Sequence, residues 1–248
     1  MQEKPALTRV MDLVRDLRNR CPWDRAQTRA TLRPYLVEEV LELDHAIGEN
    51  DGDAIREELG DFLLHLAWQL VLSEEDGSAT AEGLADQVVR KMQRRHPHLF
   101  DLGPPEAWET LKRRERTRGT LDGLPPTLPP LLMAFRLQER AASVGFDWPD
   151  ADGPLAKVKE ETTEVERAIT MRDRDALEDE LGDLLFAAVN LARKLGVQPG
   201  AALERANRKF VHRFRQIEAL AAERGVSMEN AGLEALDELW DEVKRAER

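Results

Sequence analysis

Apolar side chains recur three and four positions apart along most of the chain, as at Leu36, Val40 and Leu43. This spacing places them on one face of an α-helix. Segments rich in turn-forming residues interrupt the pattern at 21–24, 48–53 and 96–105. The pattern predicts helices at residues 7–19, 33–47, 53–73, 80–95, 105–118, 129–143, 154–171, 174–195, 200–223 and 231–247. An all-α fold is therefore expected.

A duplication divides the chain into two halves. Residues 119–130 are dense in proline and glycine, which interrupt helices, and this segment is predicted to be a linker. Residues 35–68 align without gaps on 157–190, with 13 identities in 34 positions. We therefore predict two tandem helical-bundle domains, at 1–118 and 131–248.

Acidic residues repeat together with the apolar ones. Each half carries Glu-Glu-x-x-Glu on one predicted helix and Glu-Leu-Gly-Asp on the next. Positions i and i+3 of a helix lie about 60° apart, so each pair of acids shares a face. A short connection favours an antiparallel hairpin, in which the two pairs would face each other. The repeated acids are Glu39, Glu42, Glu58 and Asp61 in the first half, and Glu161, Glu164, Glu180 and Asp183 in the second.

Four carboxylates around one small volume repel each other unless a cation neutralises them. Oxygen-only ligands favour Mg²⁺, or Mn²⁺ as a substitute, over zinc. The alternative is a solvated acidic face, which is common on Glu-rich helices. The duplication with identical spacing favours the metal site. Gly60 and Gly182 lie within the predicted helices, where glycine is expected only if close packing requires it.

Composition narrows the classes of partner. Charged residues make up 34% of the chain and aromatic residues 5%, with a formal net charge of −12. Such acidity argues against binding a nucleic acid polymer through bulk electrostatics. Cys21 is the only cysteine, which excludes an intramolecular disulfide and a cysteine-based zinc site. No signal-peptide core and no membrane-length apolar stretch are evident, so we expect a cytoplasmic protein.

Other polar and aromatic residues are weaker candidates. Lys209 and Arg213 are four positions apart, so both cations share a helix face that could bind phosphate or could simply be solvated. Trp240 could stack on a base, although a tryptophan at helical spacing is more often part of the core. Asn190 could reach the cleft of the second half, where the first half has Trp68 at the equivalent position.

The chain resembles the MazG family of two-domain, all-α nucleoside triphosphate pyrophosphohydrolases over essentially its whole length. The resemblance rests on both Glu-Leu-Gly-Asp stretches and on CPWDRAQT at 21–28, LRPYLVEEVLEL at 32–43, RRHPHLF at 94–100 and ANRKFVHRF at 206–214. It implies Mg²⁺-dependent hydrolysis of NTPs or dNTPs to the monophosphate and pyrophosphate, with broad base specificity, by a homodimer. The implied role is removal of unwanted nucleotides from the cellular pool.

The resemblance also implies roles for particular residues. The second half would be catalytic, with Glu161, Glu164, Glu180 and Asp183 as metal ligands. On chemical grounds, rather than from the resemblance, we predict that Glu160 or Glu161 orients or deprotonates the attacking water. Tyr35 stands in the first half where the second has a lysine, so the first site could be inactive and structural or accessory. The residues that match the family's nucleotide-binding positions are Lys157, Glu160, Lys209, Arg213 and Trp240.

The sequence leaves two other classes of function open. A regulatory module that binds nucleotides without hydrolysing them would need the same ligands but would show no turnover. A purely structural helical protein would tolerate removal of the acids and would show no metal-linked rise in melting temperature.

Overall fold

A computed structural model describes residues 4–106, 108–114 and 119–247, and within these ranges the chain forms helices and turns and no strand. The all-α prediction is therefore confirmed. The chain divides into two compact units, Met1–Trp108 and Glu109–Arg248. The predicted boundaries 1–118 and 131–248, with a linker at 119–130, stay a prediction. In the described part of the chain, every helix is too short or too polar to cross a bilayer.

The described residues of the first unit, up to residue 106, form five helices and a short 3-10 helix at Pro97–Leu99. Its helices are α1 (Ala6–Arg20), α2 (Pro22–Ala26), α3 (Arg29–Glu49), α4 (Gly52–Glu75) and α5 (Ala81–Arg95). Helix α4 packs against both α1 and α3. The apolar core of this unit is centred on Met11, Val14, Trp68 and Val71.

The second unit repeats this arrangement, with α8 and α9 packed together as α3 and α4 are in the first unit. After α6 (Trp108–Arg114), which lies at the division between the units, it contains α7 (Pro130–Ala142), α8 (Asp152–Met171), α9 (Arg174–Lys194), α10 (Pro199–Glu223) and α11 (Gly232–Ala246). Helix α9 packs against α7 and α8, and α10 packs against α11. Ile217, Ala221, Leu239 and Val243 form the apolar core between α10 and α11.

The same turn closes the central hairpin of each unit. Helices α3 and α8 are followed by the cap residues Asn50 and Arg172, which both have positive φ, at 56° and 55°. The next residues, Asp51 and Asp173, each accept two backbone N–H hydrogen bonds at the start of the following helix. Such caps satisfy N–H groups that have no partner within the helix. The tight turn makes the two helices antiparallel, so their acidic faces meet.

The helices differ from the prediction mainly at their ends. Helix α3 begins at Arg29, not at 33, because the side chain of Thr28 accepts from the N–H of Thr31 and caps the helix. The short helix α2 was not predicted; its first residue is Pro22, a position where a missing N–H costs nothing. The helix predicted at 105–118 is observed as Trp108–Arg114, and residues 107 and 115–118 lie outside the described residues.

Candidate metal and nucleotide site

The hairpin of the second unit brings three predicted ligands together. Glu161 and Glu164 lie on α8 and Glu180 lies on α9, and one carboxylate oxygen from each is within 4.8 Å of the others. Asp183, one turn beyond Glu180, is exposed and is not part of this group of three. It lines a cavity that Glu161 also lines. We call Glu161, Glu164 and Glu180 the second carboxylate cluster.

Lys157 partly neutralises this cluster. Its Nζ lies 2.6 Å from Oε1 of Glu161 and 2.9 Å from Oε1 of Glu160. These hydrogen bonds, first to Glu161 and then to Glu160, raise the pKa of Lys157 well above its usual value. Glu160 is exposed, whereas Glu161 is only 3% exposed. Lys157 therefore supplies positive charge beside the most buried acid of the site.

The second oxygen of Glu161 has no such donor. Oε2 of Glu161 is buried without a hydrogen-bond partner. The pKa of Glu164 is raised, because a proton on Glu164 can be shared with Glu161 and because burial and the charge of Glu180 also disfavour its ionised form. Both observations describe a site short of positive charge. A hard divalent cation, which prefers carboxylate oxygens, fits this set of donors.

The first unit has a corresponding cluster. Oxygens of Glu39, Glu42 and Glu58 lie within 4.8 Å of one another, and we call these residues the first carboxylate cluster. The pKa of Glu39 is raised by burial and by the charges of Asp61 and then Glu42. Burial and neighbouring acids, Glu42 first, also raise the pKa of Glu58. Tyr35, at the position equivalent to Lys157, supplies no positive charge.

The remaining predicted residues lie on α10 and α11. Arg213 donates two hydrogen bonds to Glu247, at 2.7 and 2.9 Å, and its guanidinium lies 5.7 Å from the ring centre of Trp240. Phe210 contacts the same indole ring, and Lys209 is exposed. No hydrogen bond or ion pair among the described residues joins Lys209, Arg213 or Trp240 to the second carboxylate cluster.

Comparison with known proteins shows which family the chain resembles. Residues 27–100 and 153–217 match the MazG nucleotide pyrophosphohydrolase domain. The chain is 40% identical over 260 residues to the nucleoside triphosphate pyrophosphohydrolase of Escherichia coli (strain K12), covering 100% of this chain and 99% of that protein.

This chain belongs to the MazG family. It is also 42% identical over 230 residues to the nucleoside triphosphate pyrophosphohydrolase/pyrophosphatase MazG of Thermotoga maritima, covering 90% of this chain and 89% of that protein. Both carboxylate clusters lie within the two segments that match the MazG domain.

One part of the site was not predicted from the sequence. Gln138 and Trp148 line the same cavity as Glu161, and both precede the segment that matches the MazG domain. The signal for Gln138 was a polar residue within the amphipathic segment PLLMAFRLQERAA. Asn190, which the sequence suggested could reach the cleft, also lines this cavity. These three side chains come together because of the way α7, α8 and α9 pack. The hydrophobic periodicity of the sequence does not specify that packing.

The structure also corrects one expectation about glycine. A Cβ added to Gly60 or Gly182 would meet nothing within 4 Å among the described residues. Packing among the described residues therefore does not account for these glycines. Leu59 and Leu181, next to these glycines, are 50% and 43% exposed.

Removing one acid of the second carboxylate cluster should weaken cation binding. At a cation concentration 100 times the dissociation constant, binding stabilises the folded state by about 2.7 kcal/mol. Glu180→Gln removes one ligand charge, and a tenfold loss of affinity would reduce that stabilisation to about 1.4 kcal/mol. Thermal unfolding with and without Mg²⁺ measures the difference. Glu178→Gln, on the exposed face of the same helix, is the control. An unchanged Mg²⁺ response in Glu180→Gln would contradict the assignment.

The stabilisation by a cation should also depend on pH. The pKa values of Glu164, Glu39 and Glu58 are raised, so without a cation these groups bind protons more tightly when folded. Each therefore reduces stability as pH rises from the ordinary carboxyl range through its raised pKa. Because a cation competes with these protons, the Mg²⁺-linked rise in melting temperature should be larger at about pH 7.5 than at about pH 5. Equal shifts at both pH values would contradict this account.

Proposed function

We propose that this chain hydrolyses nucleoside triphosphates, ribo or deoxyribo, between the α- and β-phosphates, releasing the monophosphate and pyrophosphate. The observation that carries the proposal is the second carboxylate cluster, three acids within 4.8 Å with Lys157 beside them. Membership of the MazG family and the names of the E. coli and T. maritima relatives support the same reaction. Removal of unwanted nucleotides from the cellular pool is the proposed role.

Glu161, Glu164, Glu180 and Asp183 are the proposed metal ligands, and Mg²⁺ is the proposed ion, with Mn²⁺ as a substitute. A bound divalent cation would neutralise these acids and stabilise the charge that develops on phosphate oxygens. Glu161 is the best placed of the four, because its buried Oε2 has no hydrogen-bond donor. Asp183 is exposed at the edge of the neighbouring cavity, so it can approach a ligand bound there.

Lys157 is the proposed contact to the triphosphate. Its ammonium group is held beside Glu161 and remains charged at neutral pH, since the pKa of Lys157 is raised. Phosphate oxygens can accept from the same N–H donors that now bond Glu160. Release of Glu160 from Lys157 would free its carboxylate to orient or deprotonate water. Glu160 and Glu161 are the two candidates for that role.

The family resemblance alone supports Lys209, Arg213 and Trp240 as nucleotide contacts. Arg213 would have to exchange its hydrogen bonds to Glu247 for bonds to phosphate. The first carboxylate cluster is proposed to be structural or accessory. Tyr35 stands where Lys157 contacts the acids in the second unit, so the first unit lacks that phosphate-binding cation. The predicted cytoplasmic location stays a prediction.

Release of pyrophosphate tests the proposed reaction. With Mg²⁺ and dATP or dGTP, Glu180→Gln or Asp183→Asn should reduce the rate at least about 100-fold, because each removes charge needed to stabilise the transition state. Glu178→Gln, outside the cluster, should retain the rate. Glu58→Gln reports whether the first unit contributes.

Two results would contradict the proposed reaction. Full activity in Glu180→Gln and Asp183→Asn would show that the acids are not catalytic ligands. Tight, Mg²⁺-dependent binding of intact triphosphate without release of pyrophosphate would instead identify a nucleotide-binding module.

We also propose that the protein is a homodimer. Leu59 and Leu66 on α4, and Leu181 and Leu185 on α9, are more than two-fifths exposed. Gly182 next to Leu181 would allow another backbone to approach closely, since nothing lies within 4 Å of a Cβ added there. Burying such apolar surface favours association.

The homodimer can be tested by sedimentation. The wild-type chain should sediment at about twice the mass of one chain, whereas Leu185→Glu should shift it toward the monomer, because a buried carboxylate without a partner opposes association. Leu233→Glu, at an exposed position near the start of α11, is the control. A monomeric wild-type protein would contradict the proposal.

A further inference from the structure

A buried histidine lies beside the first carboxylate cluster. Nε2 of His65, on α4, lies 3.8 Å from Oε1 of Glu39, on α3. This separation is too long for a hydrogen bond. It does suit two ligands of one metal ion, because two atoms that each lie about 2.1 Å from a metal are at most about 4.2 Å apart. The two atoms are therefore close enough to share one cation.

The imidazole of His65 lacks the hydrogen bonds that a buried ring normally makes. His65 is 8% exposed, and its Nδ1 is buried with no hydrogen-bond partner among the described residues. Buried polar groups nearly always have a partner, so this ring is an exception. A neutral imidazole has a lone pair on one of its two nitrogens, and that lone pair can bind a metal ion. The ring is therefore suited to be a ligand.

Asp61 supplies a second carboxylate next to His65. It precedes His65 by four positions on α4, so both side chains lie on one face of the helix. Burial raises the pKa of Glu39, and the charge of Asp61 raises it further. Burial lowers the pKa of His65, and the charge of Asp61 opposes that effect. Asp61 is therefore close to both residues, and we call Glu39, Asp61 and His65 the mixed-ligand group.

The second unit has a different residue at the position of this histidine. In the ungapped alignment of residues 35–68 with 157–190, Ala187 corresponds to His65. Ala187 is buried, and its methyl group cannot bind a metal ion. Lys157 instead places positive charge 2.6 Å from Glu161, at the position where the first unit has Tyr35. The two units therefore share their acids but place different groups beside them.

We propose that the first unit binds a divalent transition-metal ion through the mixed-ligand group. Two carboxylates and one imidazole favour Zn²⁺, Co²⁺ or Mn²⁺ over Mg²⁺, which prefers oxygen ligands alone. Glu42 and Glu58, the other acids of the first carboxylate cluster, balance the charge of the ion. The ligands come from both α3 and α4, so the ion joins the two helices of the hairpin. This ligand set differs from the all-oxygen set proposed for the second unit.

Calorimetric titration with Zn²⁺ in an excess of Mg²⁺ tests the selectivity. It is done in a Glu180→Gln background, which weakens binding at the second carboxylate cluster. The chain should bind Zn²⁺ despite the excess Mg²⁺. His65→Ala introduces the residue that stands at the matching position of the second unit, and it should weaken this binding at least about tenfold, because a ligand is lost. The affinity for Mg²⁺, which does not need the imidazole, should fall less.

Pulsed electron paramagnetic resonance of bound Mn²⁺ identifies the ligand directly. An imidazole nitrogen bound to Mn²⁺ modulates the electron spin echo, whereas carboxylates and water give no such nitrogen signal. The wild-type chain with one equivalent of Mn²⁺ should show the nitrogen modulation. His65→Ala should lose it.

His45 offers a matched control in the same unit. It lies on α3, three positions after Glu42, and it is exposed. His45, Glu42 and Glu58 line the same surface groove, so this imidazole is also near the acids. His45→Ala should leave both the Zn²⁺ affinity and the nitrogen modulation unchanged, because its ring is not part of the mixed-ligand group.

A second variant of the histidine separates ligand loss from unfolding. His65→Gln keeps a polar side chain of similar size but removes the imidazole, so it should behave like His65→Ala in both experiments. Melting temperatures without metal show whether each variant is folded. Zn²⁺ should raise the melting temperature of the wild-type chain more than that of His65→Gln, because an ion that binds only the folded chain stabilises it.

The possible results decide the proposal independently of the reaction. The proposal is overturned if the wild-type chain shows no nitrogen modulation, or if the modulation persists in both His65 variants. Loss of the modulation in His45→Ala, with retention in His65→Ala, would assign a different ligand and would also overturn it. No nucleotide is present in these measurements. A chain that lacks this metal site but still releases pyrophosphate would therefore leave the proposed reaction standing.

Discussion

Repulsion between carboxylates at the face of each helical hairpin is the constraint on which the rest of the structure depends. The turn after α3 or α8 makes the two helices antiparallel and brings their acids within 4.8 Å. Arg172 closes the second turn at φ 55°, a conformation that costs most residues free energy. The hairpin therefore holds like charges together against both repulsion and backbone strain. Such an arrangement is expected where a site needs concentrated negative charge.

The two units tolerate this repulsion in different ways. In the second unit Lys157 bonds to Glu160 and Glu161, so part of the charge is neutralised by the chain itself. In the first unit Tyr35 stands at the position of this lysine, and the pKa values of Glu39 and Glu58 are raised, so these acids retain protons to a higher pH. A lysine can exchange its hydrogen bonds to carboxylates for hydrogen bonds to an incoming phosphate. A proton bound to a carboxylate does not supply a cation for phosphate in this way.

Local patterns predicted the helices and the convergence of three of the four acids in each unit, because helical spacing and a short turn determine which side chains face each other. They did not predict the cavity beside Glu161, which depends on how α7 packs against α9. Gln138 illustrates the difference, since its bond to the Phe186 carbonyl joins residues 48 positions apart. Gly182 is a different case, because the pattern suggested close packing there and the described part of the chain leaves the space beside it open.

The duplicated hairpin is packed differently in the two units. Burying the large ring of Trp68 contributes apolar contact area to the first unit, and the guanidinium of Arg18 lies 5.4 Å from its ring centre. At the equivalent position Asn190 lines a cavity, and Oε1 of Gln138 is left without a donor. A cavity and a buried acceptor without a donor both reduce the stability of the folded state. At this position, therefore, side-chain packing contributes less stability in the second unit than in the first.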